Sequence, residues 1–209
     1  MTLLLNPNLS QDPGKMEHLA CFLPGMLALG AKHMKQCQKG LEVADDHLQL
    51  AKDLTKTCYE TYARTPTGLA GDASRFDQNR GFMVDPGAPW TVLRPETLES
   101  IFVLYQVTKD PMYQEWGWNI FKAIEKHCKT THGFGAFPDV RNANARCCQG
   151  PDDRTETFFF AETIKYLYLL FDDSKFTDLS KYVFNTEAHP LPIPTQDSAF
   201  ETYAGAFRI

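Results

Sequence analysis

Two kinds of stretch alternate along this chain: runs with apolar residues at three- and four-residue spacing, and long runs with no period. Residues 1–15 read as loop, because Asn6-Pro7-Asn8 and Asp12-Pro13-Gly14 are turn chemistry. From about Met16, His18, Leu19, Phe22 and Leu23 mark a helical face. Pro24-Gly25 interrupts it and Met26-Leu27-Ala28-Leu29 resumes the pattern, until Gln38-Lys39-Gly40 breaks the run. A second helix fits Val43 to Ala63, with Leu48, Ala51, Leu54, Cys58, Tyr59 and Tyr62 along one side. Arg64 to Arg94 is irregular and rich in Gly, Pro and Asp, with Phe82-Met83-Val84 and Thr91-Val92-Leu93 as short strands. A stretch of that length inside a domain reads as a functional loop or as short strands.

A third helix runs from about Pro95 to Val107, with Leu98, Ile101, Phe102 and Tyr105 on its buried face. Asp110-Pro111 opens a fourth, an acceptor side chain followed by proline at the first helical position. Tyr113, Trp116, Ile120, Phe121 and Ile124 carry its apolar face to about Lys126. The glycine-rich loop at His132-Gly133-Phe134-Gly135 leads into a polar segment ending at Asp153. Arg154 to Phe171 is aromatic on every side, which predicts a helix buried all round. Tyr182-Val183-Phe184 reads as a strand, and Asn185-Thr186-Glu187-Ala188-His189-Pro190 closes the ordered part. The class expected is all-α: helix pairs, long loops gathered on one face and a few short strands.

Composition narrows the partners. With 209 residues the chain can bury a sizeable core as one domain, and 43% apolar and 22% charged residues are ordinary for a globular protein. A net charge of −5 without a basic block argues against a nucleic-acid partner. No apolar run is long enough to span a bilayer, and Met1 to Pro7 lacks the basic and apolar regions of a signal peptide. The cysteines at 21, 37, 58, 128, 147 and 148 form no C-x-x-C pair of the kind that holds zinc.

Chemistry concentrates at Leu93-Arg94-Pro95-Glu96-Thr97-Leu98-Glu99-Ser100. Glu96 and Glu99 lie three apart at a helix start, so their carboxylates leave the same side, with Arg94 just ahead. Two acids and a guanidinium there can hold and polarise a hydroxyl-rich substrate. Acids in a first helical turn also complement the macrodipole without doing chemistry. His18, on an apolar face, is by itself an ordinary core histidine.

Four blocks in order carry a resemblance: Lys15 to Gly25 (KMEHLACFLPG), Leu93 to Ser100 (LRPETLES), Phe158 to Phe171 (FFFAETIKYLYLLF) and Val183 to Pro190 (VFNTEAHP). Together they resemble glycoside hydrolase family 47, the class I α-1,2-mannosidases that trim high-mannose N-glycans in the endoplasmic reticulum and Golgi. The resemblance implies part of an (αα)7 toroid of paired helices. Residues 15–190 would be the C-terminal part of its catalytic barrel, behind a poorly matching 1–14 segment and ahead of a 191–209 tail. It implies that Glu96 is the general base, and that Arg94 and Glu99 around it bind the sugar and order a metal's waters. It implies that His18 belongs to the active-site wall and that Phe158 stacks under the mannose ring. Glu162 becomes an outer carboxylate, Thr186 a Ca2+ ligand through hydroxyl and carbonyl, and Glu187 an acid ordering the ion's water shell. Cys21 and Cys58 match the family's disulfide, with Lys32 to Val43 as an insertion between them. The general acid falls in the part of the family that this chain does not match, so a chain inactive alone is expected. Full-length members are often membrane-anchored. The competing expectation is a calcium-dependent mannose-binding module that grips the glycan without cleaving it.

Overall fold

The computed structural model describes residues 14–77, 80–147, 154–172 and 178–194. Strand β1 (Lys15–Glu17) leads through a 3-10 helix (His18–Phe22) into α1 (Leu23–Gln36), which pairs with α2 (Leu41–Ala63). Strands β2 (Ala73–Asp77) and β3 (Gly81–Val84) follow, then α3 (Glu96–Thr108) and α4 (Met112–Cys128). A π-helical segment (Phe159–Ile164) runs directly into α5 (Lys165–Phe171), and the hairpin β4 (Tyr182–Phe184) and β5 (Pro190–Pro192) closes the described chain. This mostly helical architecture of paired elements bears out the expected class. The first three strands form one antiparallel sheet in the order β1-β2-β3, with Met16 opposite Ser74 and Phe76 opposite Phe82.

Helix α3 is the hub. It packs against α1, α2, α4 and α5. Its burial goes nearly all round: besides Leu98, Ile101 and Phe102, it buries Thr97, Ser100, Val103, Leu104 and Gln106. The single buried face expected from spacing is therefore too narrow. The last helix departs in the opposite direction. Phe160 is 57% exposed and Tyr168 66%, so the segment from Arg154 does not lie deep on every side. Apolarity reports a preference for burial, whereas burial itself depends on which neighbours pack there.

Other differences are local. Pro24-Gly25 does not interrupt a helix but stands in the first turn of α1, where proline's missing N–H costs nothing. Lys15–Glu17 is a strand where loop to residue 15 and helix from about Met16 are expected, because Met16 and Glu17 pair with Ser74 and Ala73, far away in sequence. Thr91 makes only an isolated bridge to Phe137, since Leu93 turns the backbone to φ +62 and ends the extension. The strand expected at Phe82–Val84 is present as β3, and that at Tyr182–Phe184 as β4.

Two glycines set helix distances. A Cβ on Gly25 would lie 3.1 Å from Ser100 Oγ and 3.2 Å from its Cα, so α1 starts almost on the backbone of α3. A Cβ on Gly117 would overlap Leu170 Cδ2, so α4 meets α5 closely there.

Candidate active site

The 3-10 helix, α1, α3, the π-helical segment and the β4 hairpin enclose a cavity of about 600 Å³. Glu96 and Glu99 line it from the first turn of α3, Glu162 from the π-helical segment, and Asn185 and Thr186 from the turn after β4. Its remaining wall is largely apolar, including Phe22, Met26, Val103 and Phe184. Three acids and a threonine drawn from three separate stretches thus share one space.

Glu96 is held by His18. The imidazole Nδ1 lies 2.8 Å from Glu96 Oε2, and Nε2 lies 2.6 Å from the Tyr62 hydroxyl. His18 is buried, and its position is fixed from the backbone by its N–H donating to Asp72 O at 3.0 Å. Burial alone would raise the Glu96 pKa, but the hydrogen bond to His18, with help from Arg94, holds it below the ordinary glutamate value. Arg94 sits one step outside the cavity lining, and its Nε donates to Asp72 Oδ1 at 2.6 Å. Asp72 therefore organises both sides of Glu96, through a carbonyl to His18 and a carboxylate to Arg94.

Glu99 and Glu162 behave differently. Burial, and then the charges of Glu96 and Glu162, push Glu99 up to about 7, opposed by a hydrogen bond from the Tyr166 hydroxyl. Burial, and then the charges of Glu187 and Glu96, push Glu162 up to about 7 as well, and its carboxyl shares a hydrogen bond with Glu187. The cavity thus brings acidic groups close enough to raise one another.

The loop that presents Thr186 is built by Asn185. Its Oδ1 accepts the N–H groups of Glu187 at 3.1 Å and His189 at 2.8 Å, an Asx-type turn. Lys165 Nζ donates to Ala188 O at 2.9 Å and ties this loop to α5. Phe184 packs edge-on to Phe102 and tilted on Tyr166, which seats the hairpin against α3 and α5. Glu187 itself is exposed.

At the other wall, Leu93 occupies the left-handed region at φ +62 while buried, just before Arg94-Pro95-Glu96. That conformation costs a non-glycine residue about 1–2 kcal/mol. Thr163 Oγ1 donates to the Leu93 carbonyl at 2.6 Å, so the residue beside Glu162 secures the bend before Glu96.

Cys21 and Cys58 are joined by a disulfide, with Cα atoms 5.9 Å apart. Among the described residues Cys37 and Cys128 are free thiols. Lys32 to Val43, the expected insertion, forms the end of α1, its connection and the start of α2. Of the residues singled out from sequence, His18, Arg94, Phe158 and Glu187 stand outside the cavity lining; Phe158 is half-buried immediately before the π-helical segment. Among the described residues, no group of three or more His, Cys, Asp or Glu side chains is arranged to hold a metal ion by itself. Sequence reading missed Tyr62 and Asp72 as polar partners, and Tyr166. A signal existed for Tyr62, four residues after Cys58 and hence on the face of α2 that meets the His18 turn.

The sequence profile described as glycosyl hydrolase family 47 matches residues 6–193. The chain belongs to this family. Among similar family 47 proteins, the mannosyl-oligosaccharide 1,2-alpha-mannosidase MNS1 of Arabidopsis thaliana is 48% identical over 179 residues, which is 86% of this chain and 30% of that protein. The endoplasmic reticulum mannosyl-oligosaccharide 1,2-alpha-mannosidase of Rattus norvegicus is 44% identical over 186 residues, 86% of this chain and 27% of that protein. A solved structure, the alpha-1,2-mannosidase from Trichoderma reesei, superposes with a TM-score of 0.73 at 31% identity, covering 87% of this chain and 39% of that one. This family 47 chain thus spans about a third of the length of such relatives, and its mostly helical fold matches part of a protein of the (αα)7 barrel family.

Proposed function

We propose that this chain supplies the base side of an inverting α-1,2-mannosidase site acting on high-mannose N-glycans. The observation that carries the proposal is the shared cavity, in which Glu96, Glu99, Glu162 and Thr186 face one space. Glu96 stays ionised because His18 occupies Oε2, and its other oxygen is left to take a proton from water. Inversion requires that water to sit between base and acid carboxyls roughly 6.5–9.5 Å apart. We assign no residue of this chain as the general acid. Turnover then needs a barrel that contributes one, and residues 15–190 act as its C-terminal part.

The donor chemistry fits Ca2+. Thr186 can offer its hydroxyl and its carbonyl, and the paired Glu162 and Glu187 carboxyls and Glu99 supply a surplus of hard oxygen and negative charge. We assign Thr186 as the direct ligand, and Glu99, Glu162 and Glu187 as groups that orient waters around the ion. A bound calcium would contribute Lewis-acid contact to ring hydroxyls of the sugar. Arg94, held by Asp72, borders the approach to Glu96, and Phe158 offers an aromatic face beyond the lining residues. The Cys21–Cys58 disulfide supports an oxidising compartment, the endoplasmic reticulum or Golgi lumen.

Calorimetric titration of the chain with Ca2+ and then α-1,2-mannobiose, alongside an assay for released mannose, tests this reading. Thr186→Ala should abolish the calcium heat, whereas Glu96→Gln should retain calcium and sugar binding. In a full barrel Glu96→Gln should remove turnover by at least about 10²-fold, the lower range for a positioned acid–base group. Calcium-dependent sugar binding without product from that barrel would favour the binding-module reading. No calcium heat from the parent chain would refute the proposed metal ligand.

A further inference from the structure

Behind Glu96 lies a buried chain of hydroxyls and imidazole that the reaction as stated does not use. Tyr62, on α2, is 6% exposed, and its oxygen is 2.6 Å from His18 Nε2. Thr97, fully buried beside Glu96, hydrogen-bonds the Tyr62 oxygen and lies 3.3 Å from the same imidazole nitrogen. The far side of the ring, Nδ1, meets Glu96 Oε2 at 2.8 Å. A neutral imidazole donates from one nitrogen and accepts at the other, and the partner of one decides the role of the second.

We infer that Tyr62 is a positioning residue: its hydroxyl donates to His18 Nε2, which places the imidazole proton on Nδ1 and directs it at Glu96. The direction follows from the partners. Tyr62 and Thr97 both reach Nε2, but the Tyr62 oxygen is much the nearer, at 2.6 Å against 3.3 Å, so the Tyr62 proton goes to Nε2 and the Thr97 proton is left for the Tyr62 oxygen. Burial raises the Tyr62 pKa far above neutrality, so the phenol keeps that proton. On the other side Glu96, a carboxylate, accepts the proton that is thereby held on Nδ1.

The disulfide holds both ends of the first link. Cys21 is three residues after His18 in a 3-10 helix, where such positions eclipse. Cys58 is four residues before Tyr62 in α2 and therefore on the same face. The crosslink between them fixes the separation that the His18–Tyr62 hydrogen bond needs.

This inference rests on the reading of Glu96 as base for its catalytic consequence, but not for its structural content. The test uses nitrogen NMR of the histidine side chains in the whole chain, with His18 assigned by its absence in His18→Gln. The parent should show a protonated Nδ1 and an unprotonated Nε2 for His18 at neutral pH. Tyr62→Phe keeps the ring and removes only the hydroxyl; it should yield a mixture of tautomers. Tyr59→Phe, on the same helix as Tyr62, removes a hydroxyl that accepts from Asn119 of α4 and should leave the His18 pattern unchanged. A parent His18 protonated at Nε2, or a Tyr62→Phe tautomer identical to the parent's, overturns the inference. If Tyr62→Phe fails to fold, the parent spectrum alone decides. In a full barrel that releases mannose, Tyr62→Phe should lower kcat about tenfold with KM within twofold of the parent, a split that loss of packing alone would not give. If neither barrel releases mannose, the reading of Glu96 as base fails and the NMR result still stands.

Discussion

Replacing both Cys21 and Cys58 by alanine is the perturbation whose magnitude the structure fixes most directly. The two positions are 37 residues apart in sequence. The chain-entropy relation gives about 13 cal/mol/K for a loop of that length, or about 4 kcal/mol at 25 °C. Both cysteines are almost wholly buried, and with Met16 and Phe76 they form a small core of their own, separate from the main one. Alanine removes two sulfur atoms from that core, so the native state gains nothing that offsets the loss. For a chain of this size, 4 kcal/mol corresponds to a fall in Tm of about 8–16 °C. Urea unfolding followed by tryptophan fluorescence and far-ultraviolet circular dichroism measures it. The expected result is a lower midpoint, with a slope that rises modestly because the uncrosslinked denatured state exposes more surface. A loss below about 1 kcal/mol would refute the reasoning. It would mean that the β1 segment and the 3-10 turn hold their places on α2 without the crosslink.

Other outcomes follow from single groups. Ser100 Oγ accepts the Gly25 N–H at 2.9 Å and donates to Cys21 O at 2.5 Å, so Ser100→Ala should strand a buried donor at the start of α1 and cost about 1–3 kcal/mol in urea unfolding. Glu99 is raised from 4.5 to about 7 in the fold, so the native state binds its proton more tightly than the unfolded chain does. Its contribution is therefore fully present below about pH 4.5 and is lost as pH rises towards 7 and above. Urea midpoints measured between pH 4.5 and 8 without calcium should fall through that window, and Glu99→Gln should flatten the fall.

What could be read from the sequence was local. The bounds of α2 and α4 came within about two residues, because apolar period and helix breaks both lie inside the segment. The start of α3 was legible for the same reason, and with it the adjacency of Glu96 and Glu99. Strands β1 and β2 were not. Their three- and five-residue lengths carry no period, and their pairing joins residues such as Lys15 and Arg75 across the whole α1–α2 helix pair. Which helix lies deepest was also illegible: α3 and the α5 segment are both apolar, and only neighbours on every side distinguish α3. At the site, composition pointed to the acids but not to what holds them. Arg94 and Asp72 meet across 22 residues, and Tyr62 reads as one more aromatic on an apolar stripe until His18 is placed beside it.

The clasp between Thr163 and the Leu93 carbonyl has a mechanical consequence. Glu162 and Glu96 stand next to or near its two ends, on segments 70 residues apart in sequence, so parting the two segments means breaking this bond. The spacing of the acids across the cavity is thus a collective coordinate, shared by a widened helix and a left-handed bend. A ligand that drew one carboxylate inward would have to strain this bond to leave the opposite wall behind.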